Sequence, residues 1–332
     1  MTGDPLPTWN LHSTRDYHLQ DLTTLGWEWT VCNSLAHPES LCRTVLVRPD
    51  SYGNLLRHFL ERHFDLGRVR RILEVGGGYG VLKRDFLADR PEWSSLCIDL
   101  SPVLLEKQRE ALAGFPADFR REDFLETPPE ILAGFGLALL NENLGDFPVV
   151  LDMPREIEDT ERWSQRETKS DSDRLMERVY RLFANYGLEA LEAPLFPFNL
   201  GACEALEKLC LAGVPSIFLS EHSCEARVPE ELAGLIRVSA PGRPERIPLK
   251  GHDEFTIKFS HLEAIARYHG YRVRRGPLAD FLSVAWTDRL RAILRAPAAR
   301  NDEEEVLRHF LEDLYQYEYL MLQKGTELNP SP

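Results

Sequence analysis

The segment Arg70–Leu87, RRILEVGGGYGVLKRDFL, constrains the fold of this chain more than any other. A short apolar run from Ile72 to Val75 carries Glu74 and breaks into three alternate glycines, Gly76, Gly78 and Gly80. An amphipathic run then begins at Val81. This pattern predicts a strand, a tight turn and a helix. Glycines in such a turn permit backbone conformations that a Cβ forbids, and they let a ligand come close. The unpaired N–H groups and positive dipole end of the helix suit a nucleotide-like ligand with an anionic or polar tail. The dinucleotide fingerprint G-x-G-x-x-G is met at Gly76 and Gly78 but fails at Val81, where a small residue belongs. Lys83 lacks the Gly-Lys-Ser/Thr context of a Walker-type phosphate loop.

The same unit recurs downstream. Ser95–Asp99 (SLCID) reads as a second strand ending in an acid. That acid lies about 20 residues past the glycines, where Rossmann-like folds place the carboxylate that bonds a ribose diol. A helix then starts with Ser101 as N-cap and Pro102 at its first position. Ala117–Asp123 reads as a third strand, with Asp123 and Phe124 at its end as candidates to meet an adenine base; a surface acid is the alternative for Asp123. Phe135–Leu140 (FGLALL), with no polar residue, is a fourth strand buried on both faces, and it runs into Asn141, Glu142 and Asn143. Ligands bind beyond the carboxyl ends of such strands, so Glu74, Asp99, Asp123 and Asn141/Glu142 are expected to ring one crevice.

Upstream, Tyr52–Phe64 has helical spacing. Residues 1–50 lack periodicity but carry Trp9, Tyr17, Trp27 and Trp29, which either cover a ligand or pack the segment onto a core. Downstream, 152–174 is charged and poor in apolar residues, either a lid or a solvated insertion. Further elements are expected at Arg174–Tyr186 (helix), Leu188–Ala193 (strand), Gly201–Leu211 (helix), Ser216–Ser220 (strand), Phe255–Phe259 (strand), Ser260–Tyr268 (helix) and Tyr271–Arg275 (strand). Leu278–Trp286 is expected as the last strand of the sheet, and Asp302–Gln323 as one amphipathic helix that packs on the core or on a second subunit, making a homodimer. The tail after Gly325 is expected to be disordered. The division is thus an N-terminal extension (1–50), a core (51–286) and a C-terminal helical extension (287–332).

With 332 residues the chain can bury a large core. A formal net charge of −14 argues against nucleic acid and acidic membranes as partners. The six cysteines stand in mostly apolar settings without a Cys-x-x-Cys, as in a reduced, cytoplasmic protein. There is no apolar run long enough for a bilayer, and MTGDPLPTWN has no signal-peptide pattern. No metal site is expected: His222 and Cys224 have no second half at ligand spacing, and His261 and His269 read as helix-surface or core-edge residues. Arg272, Arg274 and Arg275 read as a solvated strand face rather than an RNA site.

The E-x-G-x-G-x-G spacing resembles motif I of class I S-adenosylmethionine (SAM) methyltransferases, and several segments resemble the MidA family within them, which includes mitochondrial complex I assembly factors. The residues that carry the likeness are Glu74-Val-Gly-Gly-Gly-Tyr-Gly80 with Leu82, then Asp99-Leu-Ser101-Pro102-Val-Leu104 with Gln108. The family's N-E-x-x-D-A-L-P-V-H reads here Asn141-Glu142-Asn143-Leu144-Gly145-Asp146-Phe147-Pro148-Val149-Val150. Its Asp thus falls on Gly145, with Asp146 adjacent, and its His on Val150. Later, Ser220-Glu221-His222 replaces the family's Asp-Tyr-Gly, while Lys258 and Thr256 stand where it has Asp and His. The likeness is best over residues 70–150.

The resemblance implies a Rossmann-like class I methyltransferase fold, an α/β architecture with a mostly parallel central sheet flanked by helices. It implies SAM as cofactor, its amino-acid part at Glu74, Gly76, Gly78 and Gly80, its ribose at Asp99, its adenine at Asp123 and Phe124, and Asn141 beside it. Glu142 and Asp146 are the candidate catalytic carboxylates, able to orient an acceptor or fork onto a guanidinium; a turn cap is the alternative for Glu142. The methyl acceptor is a protein side chain, arginine by resemblance, or a small molecule, which the replaced family residues favour. The alternatives are a degenerate methyltransferase fold acting as an assembly or binding factor without turnover, and a nicotinamide-dependent oxidoreductase, which Val81 disfavours.

Overall fold

A computed structural model describes residues 10–20, 29–154 and 170–325. Its centre is a seven-stranded sheet of β1 (Arg71–Val75), β2 (Ser94–Asp99), β3 (Ala117–Arg121), β4 (Leu137–Asn141), β5 (Ser216–His222), β6 (Tyr271–Pro277) and β7 (Tyr317–Lys324). The order is β3-β2-β1-β4-β5-β7-β6. The first five strands are mutually parallel, and β7 runs antiparallel to both of its neighbours. The order reverses between β1 and β4, which places the crevice of an open α/β sheet beyond Val75, Asp99 and Asn141. The expected mostly parallel α/β sheet is therefore present.

Helices flank both faces: α1 (Tyr52–Glu61), α2 (Val81–Ala88), α3 (Pro102–Ala111), α4 (Asp171–Tyr186), α5 (Leu200–Leu211), α6 (Phe259–Tyr268), α7 (Asp288–Arg295) and α8 (Asp302–Gln316). The cap at Ser101 forms as expected, its hydroxyl accepting from Leu104 N. Two apolar cores result. Leu137 and Leu139 of β4 face the core under α1, α2, α7 and α8, while Ala138 and Leu140 face the core under α4, α5 and α6. A strand clad on both faces has no polar alternation, which is why FGLALL is apolar throughout.

The same rule explains a correction at the C-terminus. The helix expected to reach Gln323 ends at Gln316, and 317–324 forms β7. Tyr317, Tyr319 and Met321 enter one core, Leu320 and Leu322 the other. Apolar residues at Leu314, Tyr317 and Met321 happen to continue the helical spacing of Leu307, Phe310 and Leu311. The helix stops where Gln316 turns to bond the strand-β5 exit, its Nε2 donating to the carbonyls of Ser223 and Ser239. Leu278–Trp286, expected as a strand, is one 3-10 turn followed by irregular chain that plugs Leu278, Phe281 and Leu282 into the core.

Two other expected strands shift. Leu188–Ala193 is irregular, and the strand lies at Leu195–Phe198, in a small antiparallel sheet with Val149–Pro154 and Leu11–His12. Instead of Phe255–Phe259, Asp253–Phe255 pairs with Arg246–Pro248 as a hairpin, and α6 already begins at Phe259. Most of the charged 152–174 stretch, Trp9, Trp27 and the tail lie outside the described residues. Among the described residues no helix is long and apolar enough to cross a membrane.

Candidate functional site

A cavity of about 380 Å³ opens beyond the carboxyl ends of β1, β2, β4 and β5. One end is built by the glycine turn. Gly76 has φ 61° and Gly78 φ 51°, a region where a Cβ is disfavoured. A Cβ on Gly76 would also lie 2.5 Å from Asn143 Nδ2, whereas the space beside Gly78 is open. Gly76, Gly78 and Tyr79 line the cavity; Gly80, the N-cap of α2, packs against α3 instead.

Asp99, at the end of β2, is buried in the cavity wall. Its Oδ1 accepts from Ser101 N at 2.9 Å and its Oδ2 from Gln108 Nε2 at 2.7 Å. Gln108 Nε2 also reaches the carbonyl of Gly78 at 3.2 Å, tying the turn to the acid. Burial raises the Asp99 carboxyl to about 6, against the pull of those hydrogen bonds. Ile98, Leu100, Leu104 and Phe124 form an apolar slot beside it. Asp123 closes the slot, capping the next turn through Leu125 N and paired with Arg15.

Glu74 is placed differently from expectation. It does not line the cavity but lies buried under the turn, where a Cβ on Gly77 would come within 2.7 Å of its Oε2. That oxygen has no hydrogen-bond partner among the described residues. Burial raises the carboxyl to about 7, opposed by the charge of Lys83, a fully buried residue of α2. Asn141 also stays behind the wall, its Oδ1 accepting from Tyr52 Oη and Ser220 Oγ and its Nδ2 donating to Glu142 Oε1 at 3.0 Å. The asparagine in the cavity wall is Asn143, whose Nδ2 donates to Val75 O and whose buried Oδ1 has no partner among the described residues.

The other end is assembled from distant segments. Glu142 has φ 53°, strained for a residue with a side chain. Its Oε2 accepts from Val31 N at 2.7 Å and its Oε1 from Cys32 N at 3.0 Å, so it caps the short helix Val31–Ser34 while lining the cavity. Burial holds its carboxyl up at about 7 despite these bonds, with Glu221 pushing the same way. Asp146 lines the cavity too, but it does not stand as a free partner to Glu142: His18 Nε2 lies 2.9 Å from its Oδ1, and Thr14 Oγ1 donates to its carbonyl at 2.8 Å. Facing them are Trp29, Glu221, His222, His309, Asp313 and Tyr317. Trp29 Nε1 donates to Asp313 Oδ2 at 2.9 Å, and the His222 ring lies 3.8 Å from that of Tyr317. Burial would lower the His222 pKa, but the carboxylates of Asp313 and Glu221 hold it at about 9, so it is charged at neutral pH.

Of the residues expected from the sequence, Gly76, Gly78, Asp99, Asp123, Phe124, Glu142 and Asp146 line the cavity, and Glu74, Gly80 and Asn141 do not. Sequence reasoning missed Arg15, His18, Asn143, His222, Asp313 and Tyr317. Asn143 was within its reach, because it follows the fourth strand in the pattern already noted.

No protein-family model and no curated protein matches the chain. Among solved structures it is similar to an uncharacterized ACR, COG1565 superfamily protein from Burkholderia thailandensis, with TM-score 0.53 and 16% identity over 96% of this chain and 88% of that one. At that identity the shared property is the fold. It is also similar, at TM-score 0.42 and 10% identity, to the plantazolicin methyltransferase BpumL in complex with SAH, over 89% of each chain. A third is the glycopeptide N-methyltransferase MtfA complexed with SAM, at TM-score 0.40 and 14% identity over 82% of this chain and 94% of that one.

Proposed function

We propose that this protein is a SAM-dependent methyltransferase, MidA-like in its cofactor half. The observation that carries the reading is that the glycine turn, Asp99 and Phe124, from the ends of three successive parallel strands, meet in one cavity. The cavity falls in the size range of small-molecule sites. The residues present fit the cofactor. The backbone at Gly76 and Gly78 leaves room for its amino-acid part, and the partnerless Asn143 Oδ1 is an acceptor for its ammonium. Each Asp99 oxygen accepts one bond already and retains a lone pair for a ribose hydroxyl. Ile98, Leu100, Leu104 and Phe124 would offer the cofactor's base an apolar surface, with Asp123 beside them. SAM supplies, when bound, a methyl group already activated on a sulfonium, so the protein's main task is alignment.

Glu142 is the residue placed to take a proton from the acceptor. Its orientation is fixed by two backbone N–H groups, and a pKa of about 7 suits a general base near neutrality. Asp146 shapes the acceptor side together with His18. The acidic groups there favour an amine or guanidine nitrogen on a protein side chain or small molecule as the acceptor.

Calorimetric titration with S-adenosylhomocysteine (SAH), with NADH as control, tests the cofactor. Micromolar binding of SAH alone is expected, and binding of neither overturns the reading. Transfer of a labelled methyl group to cell extract then separates an enzyme from a binding factor that holds the cofactor without turnover.

A further inference from the structure

Two segments far apart in sequence lie against the loop after β4: the short helix Arg15–Leu19 and the tip of the Arg246–Phe255 hairpin. They meet at three side chains, His18, Asp146 and His252. One donor atom from each lies within 4.8 Å of the other two. His18 Nε2 is 2.9 Å and His252 Nε2 3.6 Å from the same oxygen, Asp146 Oδ1. A tetrahedral ion with bonds of about 2.0–2.1 Å holds its ligand atoms roughly 3.3 Å apart, and the two distances straddle that value. Without an ion, His18 Nε2 shares a hydrogen bond with Asp146 Oδ1 at 2.9 Å and His252 Nε2 one with Glu254 Oε1 at 3.4 Å. As a ligand set the arrangement is good: two imidazole nitrogens and one carboxylate oxygen converge from three chain segments.

The surroundings hold the rings in place. The Tyr17 ring stacks on His252 at 4.0 Å, and Gly251, at φ 100°, permits it, since a Cβ there would lie 2.9 Å from Tyr17 Cε2. The His252 side chain is 2% exposed. Glu254 Oε1 also faces His252 Nε2, so a further carboxylate stands beside the three groups. His18 and Asp146 line the cavity, so a fourth position is open to water or to a donor within it.

We propose that His18, Asp146 and His252 form a binding site for a divalent transition-metal ion, Zn²⁺ fitting the nitrogen and oxygen donors best. The bound ion fastens the Arg15–Leu19 helix and the hairpin tip to the loop after β4, fixing the cover of the Glu142 end of the cavity. This inference stands apart from the cofactor reading.

The test is titration of metal-free full-length protein with Zn²⁺ against a chromophoric chelator, together with the visible spectrum of the Co²⁺ form. One ion per chain is expected, with a four-coordinate Co²⁺ spectrum. Hydrogen exchange at 11–20 and 246–255 is expected to slow on Zn²⁺ addition, while exchange in the central sheet stays the same. His252→Ala and the near-isosteric Asp146→Asn should each weaken binding by more than the roughly 10–100-fold lost when a group behind a ligand is removed. Circular dichroism shows whether each variant folds, and His18→Gln serves if His252→Ala does not. Absence of stoichiometric binding, or binding unchanged in the folded variants, overturns the proposal. SAH titration of the same samples shows whether the cofactor reading stands or falls separately.

Discussion

At the Gly76–Asp99 end of the cavity, the lining comes from one run of chain, residues 75–124, plus Asn143 and the Arg15 that pairs with Asp123. At the Glu142 end it comes from six places: residues 13–18, 29–33, 142–148, 221–222, 247–254 and 309–317. The first end is built by repeated strand-turn-helix units, so each side chain's position follows from its own neighbourhood. The second end depends on how distant segments dock. Glu142 illustrates the difference. Its place after β4 is local, but its geometry is set by the N–H groups of Val31 and Cys32, over a hundred residues upstream. A site divided in this way can keep one ligand while the other changes, because replacing the docked segments leaves the repeated units intact.

The largest expected effect tests whether the C-terminal segment is part of the sheet that carries both ends. Leu320 is fully buried in β7, between Leu219 of β5 and Arg275 of β6. Leu320→Asp buries a charge there, beside an Arg275 already paired with Glu225, Glu263 and Glu318, and should cost about 4 kcal/mol or more in stability, read as a collapse of the thermal or urea transition. A variant that melts like the parent would mean that 317–324 is an appendage. Next in size is Asp99→Ala. Loss of two charge-assisted hydrogen bonds to the ribose, at about 1.5–3 kcal/mol each, should weaken SAH binding by about 100-fold or more while the protein stays folded. Unchanged affinity would remove the ribose assignment and with it the contrast between the two ends.

How much of this was legible follows the same division. FGLALL, the cap Ser101-Pro102 and the acid at Asp99 are statements about neighbours in sequence, and the structure realises them. The β7 segment has helical spacing in the sequence because a strand clad on both faces carries no alternation to oppose a helical period. His18, His222 and His252 gave no signal, because what makes each a candidate lies on another segment: Asp146 for His18 and His252, Asp313 for His222. No spacing rule connects positions 18, 146 and 252.

Glu142→Gln probes the docked end with a smaller change. The amide keeps the size of the side chain but cannot accept a proton or satisfy both the Val31 and Cys32 N–H groups. Methyl transfer should fall by about 10²–10⁴-fold, with SAH affinity within a few-fold of the parent. In the parent the rate should rise with pH through about 7, as the carboxyl loses its proton and can act as a base. In the variant that limb should vanish. A pH profile identical in both would assign Glu142 to holding the Val31–Ser34 helix and nothing more.

The smallest effect on ligand binding is expected from Glu74→Gln, although Glu74 belongs to the most recognisable motif in the chain. Its carboxylate sits beneath the turn, not in the cavity wall, so SAH affinity should change less than in Asp99→Ala. Stability should respond instead. Burial raises the Glu74 pKa from the usual carboxylate range to about 7, with Lys83 opposing and Asp99 adding to the rise. The folded state therefore holds this proton more tightly than the unfolded state does. Its contribution to stability is complete below the unfolded value of about 4.5 and is lost as pH rises through about 7. A glutamine cannot lose the proton, so the melting temperature of the variant should rise relative to the parent's between pH 5 and 8. A strong loss of SAH binding with an unaltered pH dependence of melting would reverse the assignment and put Glu74 in contact with the cofactor. The opposite result would show that a motif residue can be readable in sequence because it supports the turn rather than because it touches the ligand.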